Sequence, residues 1–217
     1  IAQELYEAKL TTYPRTDCNY LPEAQLVDAA AIIAGLPDDY AELVKLAEPS
    51  LKSAAWNDKK ITAHHAIIPT GQRAELKGKQ AQVFDLIVRA YLAQFFPAYT
   101  YRQTSIVLDL AGETFTASGK VPLSPGWKVV FGAAAEEDDD ANEDGKDDKQ
   151  TLPALKNGEA VTCKAAKVEG KKTTPPARFT EGTLIQAMTN IHQLVEEPEL
   201  KKRLKETAGI GTEATRA

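Results

Sequence analysis

Long apolar runs are missing from this sequence. No stretch of about 18 apolar residues occurs, which excludes a membrane-spanning helix. No basic segment leads into an apolar one at the start, so no signal peptide is legible. Cysteine is nearly absent: Cys18 and Cys163 stand 145 positions apart, too few for a disulfide scaffold and without zinc-ligand spacing. That usage fits a reducing, cytoplasmic setting. There is no GxxxxGK[ST], no GxGxxG and no CxxC, so nucleotide-binding and zinc readings have no motif to stand on. The one methionine is Met188, and the chain opens at Ile1 inside what reads as a helix. We therefore expect a segment of a longer protein.

What is present is a 217-residue chain, 43% apolar and 26% charged, long enough to bury a real core. Its formal charge of −5 is unevenly spread. Between Glu136 and Lys149 nine acids face only Lys146 and Lys149, giving that stretch −7 and leaving +2 for the rest. Like charges at this density repel and bury little, so residues 133–150 read as a disordered acidic loop. The remainder is near neutral, and any polyanion site must be a local patch.

The pattern divides into three zones and an α+β fold class. Residues 1–97 read as helical. Pro22 and Glu23 open a helix carrying Leu26, Ala29, Ala30 and Ile33, which Gly35 and Pro37 stop. Asp38 is placed to cap a second helix with Tyr40, Leu43 and Leu46. Gln80 to Phe96 is the clearest helix, with Phe84, Val88, Tyr91 and Phe95 in one stripe. Residues 98–174 read as strands: Thr104 to Leu110 alternates, and Thr114 to Ser118, Trp127 to Phe131 and Ala160 to Glu169 are further candidates. Residues 175–217 return to helix. Thr180 caps a run with Leu184, Ala187, Met188 and Ile191 on one face, and a short charged helix from Pro198 ends before Gly209.

Four short constellations carry possible chemistry. The first is Thr11-Thr12-Tyr13-Pro14-Arg15-Thr16-Asp17. Pro14 lacks an N–H and biases Tyr13 away from helix, so Tyr13 falls on a bend, with Arg15 on the same side if the backbone is extended. A phenol with a reference pKa of about 10 is a weak nucleophile, and a nearby guanidinium favours phenolate and grips phosphate oxygens. The ordinary alternative is a packed tyrosine and an Arg15–Asp17 pair. The second is Ala63-His64-His65-Ala66-Ile67-Ile68-Pro69-Thr70. Adjacent histidines face opposite ways, and His192 is the only other one, so a zinc site is not expected. One imidazole could donate to a phosphate oxygen; the ordinary alternative is one core-facing and one solvated ring. The third is Pro176-Ala177-Arg178-Phe179-Thr180-Glu181-Gly182-Thr183-Leu184, a cation before a capped helix start, and the fourth is Gly209-Ile210-Gly211-Thr212-Glu213-Ala214-Thr215-Arg216.

In this order, with Phe115-x-Ala117-x-Gly119 and Gly126-Trp127 between them, the four strings resemble the type IA DNA topoisomerases over essentially the whole chain. Pro14 and the Thr212-Glu213-Ala214-Thr215 run resemble the topoisomerase III branch. The resemblance implies an ATP-independent enzyme that cleaves and rejoins one strand of single-stranded DNA. Tyr13 would form a 5′-phosphotyrosine link and Arg15 would contact the reacting phosphate. His64 would bind the DNA backbone, and Arg178 and Thr215 would lie near the bound strand; His65 is left open. It implies that 1–97 is most of a gate domain, 98–174 part of a β-rich arch, and 175–217 the start of a single-strand groove domain. It places the catalytic acids and Mg2+ in a Toprim domain before Ile1, with no metal expected in this segment, which alone would be inactive. The acidic run departs from the family pattern.

Two other readings compete. The chain could be a single-stranded DNA binding module without chemistry, in which Tyr13, Tyr20, Trp56 and Arg15 supply stacking and charge. A tyrosine recombinase or relaxase fits less well, since the order of partners differs and three histidines at 64, 65 and 192 make a poor metal cluster.

Overall fold

The computed structural model describes residues 1–16, 18–61, 63–132, 152–165, 167–168, 170, 172–173, 175–205, 207 and 209–211. The expected acidic loop, Asp17 and Thr215 lie outside the described residues. The chain forms two compact units, residues 1–154 and 155–217.

The first unit is mostly short helices around one long one. Helix α1 (Ala2–Glu7) is followed by a 3-10 turn (Glu23–Asp28) that runs into α2 (Ala29–Ala34). A second 3-10 turn (Asp38–Tyr40) opens α3 (Ala41–Leu46), and α4 (Gly78–Leu92) continues into a 3-10 turn over Ala93–Phe95. The stripe read from the sequence is the buried face of α4: Phe84, Val88, Tyr91 and Phe95 are all buried. Around it the core gathers Leu5, Leu10, Leu21, Ile33, Trp56 and Ile68 from elements far apart in sequence. Phe95 meets Tyr91 and Trp56 ring to ring, with centroids 5.0 and 6.0 Å away. Asp38 contributes no side-chain cap to its turn; its carboxylate instead takes Arg73 at 2.8 Å.

After Pro97 the chain enters an antiparallel hairpin of β1 (Thr100–Leu110) and β2 (Glu113–Ser124). Its two-residue turn, Ala111-Gly112, has both φ angles positive (56° and 86°), the geometry whose twist suits a tight hairpin. Ile106, Leu108 and Leu110 alternate on one half-buried face, as the sequence pattern anticipates. Trp127 to Phe131 is a correction. It reads as a strand from its apolar content, but Gly126–Val130 is a 3-10 turn. Gly126 sets it: φ is +48°, and a Cβ there would sit 2.4–2.5 Å from the Ala98 and Pro97 backbone. The turn is then locked to α4. Arg89 binds Asp85 through Nε at 2.9 Å and donates from Nη1 to the Val130 carbonyl.

In the second unit α5 (Glu181–Thr189) starts with the expected cap: the Thr180 side chain accepts from the Thr183 N–H, and the Thr183 hydroxyl accepts from the Thr180 N–H. Helix α6 (Pro198–Lys205) follows. Ala160 to Glu169, read as a strand, contains none among the described residues. Among the described residues, helices and an antiparallel hairpin together fit the α+β class.

Phe95 fills the centre of the first unit, so Phe95→Ala should cost about 3–5 kcal/mol in urea denaturation. Burial pushes the phenol pKa of both Tyr40 and Tyr91 well above the ordinary value, and for Tyr40 a hydroxyl hydrogen bond to Asp85 at 3.0 Å adds to the rise. The unfolded chain ionises these phenols near the ordinary value of about 10 while the folded one resists. Stability is therefore retained below pH about 10 and falls as pH rises beyond it, and Tyr91→Phe should flatten that fall in urea melts taken from pH 8 upward.

Candidate functional site

The first two constellations, fifty residues apart, are brought together by one short antiparallel pairing. Thr12 N–H donates to the Ile68 carbonyl at 3.0 Å and Thr70 N–H to the Leu10 carbonyl at 3.0 Å, flanking a Thr11–Pro69 bridge. The Thr12 hydroxyl accepts from the Ile68 N–H at 3.0 Å, and the Thr70 hydroxyl donates to the Lys9 carbonyl at 2.6 Å. Leu10, Thr11, Ile68 and Pro69 are buried, so the pairing is part of the core. It begins where α1 ends. Lys9 takes a left-handed φ of 60°, its N–H bonding to Tyr6 and that of Leu10 to Leu5, a helix stop that usually uses glycine. It ends at Pro14, which has no N–H to continue it.

Tyr13 is the first residue past this anchor. Tyr13 is 36% exposed, and its hydroxyl bonds to no described residue. Two rings hold it: Tyr6 edge-on, with centroids 5.5 Å apart, and His64 tilted, at 4.8 Å. The Tyr6 contact escaped the sequence reading; its signal was the position of Tyr6 in the last turn of α1, one tyrosine seven residues before another. His64 is exposed.

His65 faces the other way, as adjacent residues in extended chain do. Its Nδ1 lies 2.7 Å from the Ala66 carbonyl and so carries the proton; Nε2 then accepts from the Gln25 amide at 3.3 Å. Both ring nitrogens are thus engaged inside the protein, while His64 is the one beside Tyr13.

Arg15 is exposed in the same loop, two residues on, and makes no ion pair or hydrogen bond among the described residues. Behind the loop lies a cavity of about 290 Å³ lined by Thr16, Cys18, Leu21, Ala66, Tyr91 and Gln94. Tyr20 is held by Lys60, whose ammonium donates to its hydroxyl at 2.9 Å and sits 4.7 Å from its ring centre. Trp56 is 3% exposed and belongs to the core, so it offers no stacking surface. Arg178 is exposed in the second unit, two residues before the Thr180 cap. Tyr13 and His64 are therefore together, Arg15 shares the loop of Tyr13, and Arg178 stands in the other unit. Among the described residues no group of three or more His, Cys, Asp or Glu side chains could hold a metal ion.

A protein-family model described as DNA topoisomerase matches residues 1–217. Relatives called DNA topoisomerase 3 are similar over the whole chain: 44% identical in Vibrio cholerae, 42% in Pasteurella multocida and 41% in Bacillus subtilis. The chain covers 33%, 33% and 31% of those proteins, so it spans about a third of the curated relatives it matches.

Thr12→Val keeps the shape but leaves the Ile68 N–H without its acceptor. It should cost about 1–3 kcal/mol in urea denaturation, and Thr12→Ser should recover most of that loss.

Proposed function

The chain belongs to the DNA topoisomerase family, and on that premise we propose that it is the nucleophile-bearing part of a type IA enzyme of the topoisomerase III branch. The observation that carries this reading is Tyr13: an accessible phenol whose hydroxyl has no partner among the described residues, fixed at the end of a buried ladder and flanked by His64.

In this reading the Tyr13 oxygen attacks a phosphorus of single-stranded DNA. The O–P bond to tyrosine forms as the bond to the 3′ oxygen breaks; the phenol loses its proton and the departing 3′ oxygen gains one. One phosphodiester replaces another, so little free energy is lost and resealing needs no ATP. Arg15 offsets charge on the phosphate oxygens in flight. His64, exposed and in ring contact with Tyr13, donates to the backbone of the strand and limits where the phenol can point. Another strand passes while the link persists.

The same reading makes residues 1–97 the gate domain, 98–174 part of the arch and 175–217 the start of the groove domain, with Arg178 and Thr215 along the strand. Among the described residues no cluster of three or more His, Cys, Asp or Glu side chains is present to hold the Mg2+ that the family implies; in this reading the ion is held by the Toprim domain. No helix among the described residues is long and apolar enough to cross a membrane, and a cytoplasmic site of action is part of the proposal.

The test mixes this segment with a Toprim-containing N-terminal piece and an oligonucleotide labelled at either end. A 5′-phosphotyrosine link retains the 3′ label on the protein and releases the 5′ label. Tyr13→Phe should abolish the adduct, and Arg15→Ala should lower its yield at least tenfold. Adduct formation by Tyr13→Phe would refute the assignment. Strand binding by the wild-type mixture with no adduct at all would favour the binding-module reading instead.

A further inference from the structure

Away from Tyr13, the base of the hairpin carries a compact group of rings and cations. Tyr99 and Tyr101 lie with ring centroids 5.4 Å apart, inclined by 34°. The Lys120 ammonium sits 4.2 Å from the centre of Tyr101 and 5.5 Å from that of Tyr99. Lys128, from the 3-10 turn after the hairpin, sits 4.2 Å from the centre of Tyr99. The strand register explains the gathering. Tyr101 pairs with Pro122 and Gln103 with Lys120, so Tyr101 and Lys120 are diagonal neighbours on one face. Tyr101 is 43% exposed. None of these residues belongs to the Tyr13 surface, and the hairpin does not need them for its core, which uses the opposite face.

We propose that this cluster is a second contact for single-stranded nucleic acid, separate from the reaction site. The inference rests on the family reading only for the class of polymer at hand. A single-strand site combines aromatic faces for bases with cations for phosphates, and both are present within one side-chain length. An arriving strand can stack its bases on the exposed parts of the two rings, with the ammonium groups beside them next to the phosphates on either side. The cluster recognises the polymer and no particular base, since every base has an aromatic face. Its place in the reaction would be to hold a strand other than the one joined to Tyr13.

The test uses the intact protein that contains this chain, carrying Tyr13→Phe so that no strand is cut. A 30-nucleotide oligonucleotide with 5-iodouracil is bound, irradiated and mapped by peptide mass spectrometry. Adducts on Tyr99 or Tyr101 are expected, with the yield at Tyr99 falling at least fivefold in Tyr101→Ala. Lys120→Gln should lower the slope of log affinity against log salt by about 0.7, and Lys120→Arg should restore it. If Tyr101→Ala loses its thermal transition, Lys128→Gln supplies the same readout from outside the strands. Adducts confined to other residues, or a duplex that displaces the single strand equally well, would overturn the proposal. The phosphotyrosine assay is scored separately, so either reading can fail while the other stands.

Discussion

The first unit depends on the ladder between residues 9–12 and 66–70. Without it, the Tyr13 loop would be a surface segment with no fixed direction, and His64 would have no reason to be beside it. The ladder is short, so its strength comes from burial. Leu10, Thr11, Ile68 and Pro69 exclude water from it, which raises the cost of leaving any of its polar groups unpaired. Two threonine hydroxyls take part: Thr12 accepts from Ile68, and Thr70 donates to Lys9. A side chain thus does for Ile68 what a strand carbonyl would ordinarily do. Thr11 between them leaves its hydroxyl without a partner among the described residues, a local cost accepted in a segment whose other contacts over-determine its position.

A rigid floor with a free edge is a sensible way to hold a nucleophile. The ladder runs up to Thr12, Pro14 forbids its continuation, and Tyr13 sits at the boundary with backbone fixed on one side only. Its ring is kept between Tyr6 and His64 by edge and tilted contacts, which restrict the ring. Helix α4 supports this from below: its buried stripe carries Ile68 and Leu10 on the same core that Phe95 and Trp56 fill.

Much of this was legible in the sequence where one local rule decides. The 3.6-residue stripe of Phe84, Val88, Tyr91 and Phe95 gave α4 its buried face, alternation gave the first strand, and Thr180 gave the start of α5. Opposed facing of His64 and His65 followed from adjacency alone. Reading failed where the deciding contact was distant. Trp127 to Phe131 has strand-like residues, but Gly126 pressed against Ala98 and Arg89 bound to Val130 turn it into a 3-10 segment. Trp56 offered itself as an exposed ring because nothing local said that Leu21 and Phe95 would cover it. For the candidate site, the reactive types and their order were visible as motifs. The Tyr6 edge contact, the Thr12 hydroxyl and the engagement of His65 by Gln25 were not, since each arises only once chain segments dozens of residues apart, or a preceding helix, are placed.

The close approach of Gly126 to Ala98 has a mechanical meaning. Where the hairpin leaves the body of the unit and where it returns are in van der Waals contact, so everything from Tyr99 to Pro125 hangs from a single closed foot. Residues can be added or removed in matched pairs at the Ala111-Gly112 tip without stretching the chain that carries the nucleophile. The arm's reach is thereby a free variable, adjustable over evolutionary time while the anvil beneath Tyr13 keeps its dimensions.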